Sequence, residues 1–94
     1  MDENKNDFIP PVPDFKFFIS TLSLQATIFL GQIPNPVSQK TEEDLPQAKF
    51  IIDTLGMLQE KTKGNLSAEE TELLEHLLYE LRTIYLSKNK GESK

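Results

Sequence analysis

From Leu73 to Tyr85 apolar residues return every three or four positions: Leu73, Leu74, Leu77, Leu78, Leu81, Ile84 and Tyr85. That spacing follows the 3.6-residue turn of an α-helix and no strand pattern. Two further segments repeat it. One runs through Phe15, Phe18, Ile19, Leu22, Ala26, Phe29 and Leu30, the other through Ala48, Ile51, Ile52, Leu55 and Leu58. Three such stripes can close around one core. With 94 residues there is room for one small domain, which buries roughly 60–65% of the surface of the unfolded chain. The expected fold is all-α with three helices, at about 14–30, 44–63 and 67–87.

Start and stop signals bound each helix. Asp14 suits an N-cap because its carboxylate can accept an unpaired N–H of the first turn, and Pro13 discourages an earlier start. Gly31 suits the left-handed residue that ends a helix. Prolines at 34 and 36 make the next stretch a loop. Asp44 and Gln47 have capping-box spacing, and Pro46 is tolerated in a first turn.

The stretch "EKTKGNLSAEE", residues 60–70, holds a stop and a start together. Lys61 and Lys63 meet the negative end of the second helix, and Gly64 ends it. Ser67 and Glu70 then form an S-x-x-E box. Helices 2 and 3 are therefore expected as an antiparallel hairpin. A phosphate loop would need a glycine five residues ahead of a Gly-Lys-Ser/Thr end and a preceding strand, and neither is present.

The flanks read differently. Residues 1–13, with "FIPPVP", are expected as a Pro-containing arm, with Phe8, Ile9 and Val12 resting on the domain. Residues 88–94 are expected as a disordered polar tail. The N-terminus "MDENKNDF" lacks the basic and apolar runs of a secretory signal. No charge occurs from Phe17 to Gln39, but polar residues such as Ser20, Thr21, Ser23, Gln25, Thr27, Gln32 and Asn35, with Pro34 and Pro36, interrupt that run, so a soluble helix is expected rather than a membrane span.

Composition removes several functions. Lys and Arg total 10 against 15 Asp and Glu, a net charge of −5, which argues against direct nucleic-acid binding. Without cysteine there is no disulfide, thiol nucleophile or thiolate metal site. Glu72, His76 and Glu80 can meet on the helix surface, yet Glu72 and His76 point away from the leucine stripe and Glu80 sits at its margin, so the face reads as solvated. No nucleophile–base pair presents itself around the single histidine. No catalytic residue, cofactor or metal is assigned, and the chain is read as a non-enzyme.

What remains is a second set of apolar residues on the far side of each helix: Phe17, Leu24 and Ile28, then Phe50 and Met57, then Tyr79 and Leu86. Arg82 among leucines and Tyr79 fits an interface anchor. These eight are the interface candidates. Burial against another chain is the expected cause, with a homo-oligomer (a dimer first) or a protein partner completing the fold. The competing expectation is a bound apolar ligand or a membrane surface, against which the lack of Lys and Arg beside the stripe counts.

The segments "DFKFFISTLSLQATIFLGQIPNP", "LPQAKFIIDTLGMLQEKTKGNLSAEE" and "LLYELRTIYLS" together resemble the small bacterial family named domain of unknown function 1844. The resemblance covers about residues 14–87. It implies a bacterial, cytoplasmic, all-helical protein and carries no activity or site residue with it. "PVSQK" departs from the Pro-x-Thr-Gly-Lys usual there, so that loop is expected to differ.

Overall fold

The computed structural model describes Pro10 and residues 12–92, with side chains through Asn89. Phe8, Ile9 and most of the expected arm lie outside the described residues. Three helices follow in order: α1 (Phe15–Phe29), α2 (Leu45–Lys61) and α3 (Ala68–Glu92). The fold is all-α, and each helix packs against both others. Eleven apolar residues are buried in one cluster. Ile19, Ala26 and Leu30 come from the α1 segment, Leu45, Ala48, Ile51, Ile52 and Leu55 from α2, and Leu74, Leu78 and Leu81 from α3. Each fully buried Leu or Ile contributes roughly 1.5–3 kcal/mol of transfer free energy.

The caps form as their spacing requires. Asp14 accepts from the Phe17 N–H at 3.0 Å. Ser67 Oγ accepts from the Glu70 N–H at 3.1 Å, and Glu70 Oε1 accepts in return from the Ser67 N–H at 2.9 Å. The Asp44 box is only half made. Its carboxylate accepts from the Gln47 N–H at 3.2 Å, but the Asp44 N–H donates to the Phe29 carbonyl at 2.8 Å instead of to Gln47. The chain has doubled back there, and Leu30 and Glu43 form an isolated antiparallel bridge.

α1 ends in a full Schellman arrangement. The Gly31 N–H donates to Ile28 O at 3.0 Å and the Gln32 N–H to Thr27 O at 3.2 Å, with Gly31 at φ 77°. α2 stops at Lys61, two residues before the expected end. Thr62 takes the cap, its hydroxyl donating to Leu58 O at 2.7 Å. Gly64 follows at φ 86°. α3 corrects the expected tail: it continues past 87 to Glu92, and Lys88 Nζ reaches Glu43 Oε2 at 2.7 Å. Polar composition alone does not stop a helix, and lysines suit its negative end.

In the loop between α1 and α2, Gln39 occupies the position where the related pattern has glycine, and it lies at φ 63°. Asn35 organises the turn. Its side chain accepts from the Val37 N–H at 2.7 Å, and its carbonyl accepts from the Gln39 N–H at 2.6 Å. That is a left-handed backbone, which disfavours a side chain.

Two apolar positions differ from the expected pattern. Phe18 belongs to the core stripe by spacing but is 48% exposed, because it sits on the flank of α1 beside Phe17. Val12 projects into solvent at 82% exposure rather than resting on the domain. With 15 residues, α1 rises about 22 Å, short of the roughly 30 Å of bilayer hydrocarbon. Among the described residues no helix is long and apolar enough to cross a membrane.

Candidate interaction surface

On α1 the residues at the core angle are Ile19 and Ala26, both fully buried. Phe17 and Leu24 lie about 160° and 140° around the wheel from Ile19, so they face outward, and they are 56% and 53% exposed. Ile28 differs from the expectation. It is partly buried, because the chain turns back at Gly31 beside it. On α2, Phe50 and Met57 are 69% and 47% exposed, and on α3, Tyr79 and Leu86 are 72% and 62% exposed.

Between α2 and α3 runs a crease with two adjoining hollows. One, of about 240 Å³, is lined by Lys49, Ile52, Asp53, Arg82, Tyr85 and Leu86. The other, of about 340 Å³, includes Gln59, Glu75, Leu78, Tyr79 and again Arg82 and Leu86. Arg82 is central to both. Its Nη2 lies 3.1 Å from where a Cβ on Gly56 would stand, so the glycine leaves space for the guanidinium over α2. A glycine in mid-helix costs about 1 kcal/mol against alanine, and its absence of side chain is what admits Arg82 there.

Of the four charged residues lining the crease, Lys49 and Asp53 are matched to each other. Lys49 Nζ meets Asp53 Oδ2 at 2.7 Å, and that hydrogen bond, followed by the Asp53 charge, holds the Lys49 ammonium above its ordinary range. His76 Nε2 meets Glu80 Oε2 at 3.2 Å on the solvated face, and Lys16 meets Glu69 at 3.3 Å. These pairs are exposed and screened by solvent, so each stabilises little. Glu80 is thus engaged with His76 and not with Arg82. Among the described residues neither Arg82 nor Glu75 takes part in an ion pair or hydrogen bond through its side chain.

The turn after α2 borders a hollow of about 320 Å³ with Glu60, Lys63, Gly64 and Glu75 on its wall. Acid and base are mixed there, so it has no anion-binding character. Among the described residues no group of three His, Cys, Asp or Glu side chains could hold a metal ion. Sequence spacing did not reveal the Gly56–Arg82 approach, since nothing local in α2 signals which residue crosses it.

The profile of the family described as domain of unknown function (DUF1844) matches residues 12–87. No curated protein matches the chain, and no solved structure does. The chain belongs to the DUF1844 family.

Proposed function

We propose that this DUF1844 member is a non-enzymatic helical interaction module of the bacterial cytoplasm that associates with a second copy of itself or with a protein partner. One observation carries the reading. Phe17, Leu24, Phe50, Met57, Tyr79 and Leu86 all stay 47–72% exposed after the core has closed. Single exposed apolar residues are ordinary, but two or more on the outer side of every helix leave a surface that burial against protein would stabilise. The net charge of −5 weighs against nucleic acid as that partner. Sedimentation equilibrium from micromolar to submillimolar concentration tests self-association. A mass above the monomer is expected; a monomer throughout removes that arm.

A second reading has its own support. The outer side of α1 carries no charge beyond Lys16, which would also suit an apolar ligand or a membrane surface. Flotation with anionic and neutral vesicles separates the two. Absence from the floated fraction removes the membrane version, and native mass spectrometry reads out a retained ligand.

A further inference from the structure

We infer that α3 is the surface on which two copies of this chain meet, antiparallel and across a two-fold axis near Leu78 and Tyr79. The inference rests on the self-association reading and goes beyond it by naming the seam.

Glu75, Tyr79, Arg82 and Leu86 follow one another at intervals of four, three and four. That is the spacing of a helix–helix seam. All four are exposed, and all border the same hollow beside α2. Neither charged member has an ion-pair partner among the described residues. Within one helix Glu75 and Arg82 cannot pair, because seven residues separate them by about 10.5 Å of rise.

A second copy resolves this. In a two-fold contact, if residue i touches residue j, then j touches i. Laying two α3 helices antiparallel with the axis midway between 75 and 82 sets each Arg82 against Glu75 of the second copy, twice over. The same axis brings the two Tyr79 rings side by side at the centre, where an exposed aromatic gains most from burial. The charge pattern is thus self-complementary. Gly56 contributes by letting the guanidinium lie low over α2, which keeps Arg82 from standing in the way of the approaching helix. The outer face of α1 carries no charge pattern of this kind, so α3 is the face that specifies its occupant.

The test uses the full chain and two charge reversals, Arg82→Glu and Glu75→Arg. Both side chains are exposed, so helical content by circular dichroism should stay near that of the parent. Each variant alone puts like charges together twice and should weaken the dimer by at least about tenfold. An equimolar mixture of the two should recover the parent dimer, since every contact then joins opposite charges. A third variant, Tyr79→Cys, should form an intermolecular disulfide on mild oxidation, in a chain with no other cysteine. A parent that is monomeric at all concentrations overturns both the self-association reading and the seam. A dimer that withstands both reversals overturns the seam and leaves self-association standing. So does one whose Tyr79→Cys variant gives no cross-link while Leu24→Asp dissociates it.

Discussion

Gly31 and Gly64 end consecutive helices, and both have left-handed backbone, at φ 77° and 86°. Their surroundings differ. A Cβ at Gly31 would stand 2.7 Å from Glu43 Cγ, whereas a Cβ at Gly64 would meet nothing within 4 Å. Glu43 cannot easily withdraw. Its backbone is bridged to Leu30, and its carboxylate is held by Lys88 at 2.7 Å. One corner is therefore a packed joint between α1, the loop and α3. The other is a turn whose only demand is conformational. Identical residues with similar φ can thus be required for different reasons.

Substitutions can separate those reasons. The largest loss is expected for Gly31→Ala, where about 1–2 kcal/mol of left-handed strain adds to the displacement of Glu43, for roughly 3 kcal/mol in all. Urea denaturation measures it. Glu43→Ala in the same chain should return about 1 kcal/mol or more of that loss by opening the space, a non-additivity that a strain-only account does not produce. At the open corner, Gly64→Ala should cost only about 1 kcal/mol, with no coupling to any neighbour. Ser67→Ala should cost a similar ~1 kcal/mol by leaving the Glu70 N–H without its acceptor. If Gly64→Ala proves as damaging as Gly31→Ala, the contrast between the corners fails.

Gln39→Gly should move the other way. Relief of left-handed strain, about 1–2 kcal/mol, is offset by the larger backbone entropy of glycine, leaving a gain of about 0.5 kcal/mol in thermal or urea unfolding. The smallest effect is expected at Lys61→Ala, about 0.3 kcal/mol from the end of α2 and declining with salt. A larger, salt-independent loss there would give the turn a role beyond reversing the chain.

The features legible in the sequence are those whose partners are three or four residues apart. Asp14 with Phe17, Ser67 with Glu70, and the Schellman turn at Gly31 are local arrangements, so residue type and spacing suffice to place them. The stripes also placed the core, because burial follows angle on a helix; Phe18 strayed since it lies on the flank. Partners that the fold brings from afar were not legible: Leu30 with Glu43, Gly56 with Arg82, Lys88 with Glu43. The half-made box at Asp44 belongs with these, since a distant carbonyl competes for its N–H. Gln39 is intermediate. The missing glycine in "PVSQK" marked the position, and a glycine in a motif commonly means left-handed backbone. For the candidate surface, angular position identified which side chains face outward, and only the tertiary arrangement showed that Arg82 and Glu75 border one hollow without an ion-pair partner among the described residues.

The Asp44 N–H has a further consequence, in the exchange of amide hydrogens with solvent. Amides at the start of a helix normally exchange fast, because no carbonyl of their own helix is available to them. Here the hydrogen sits between α2 and the last residue of α1, bonded to Phe29 O at 2.8 Å. It can leave only when the two helices part at their joint, whatever the fraying of α2 itself. A slow Asp44 amide beside fast neighbours in the loop would therefore report the opening of α1 from the rest of the bundle, an event that no amide inside a helix isolates from unwinding of that helix.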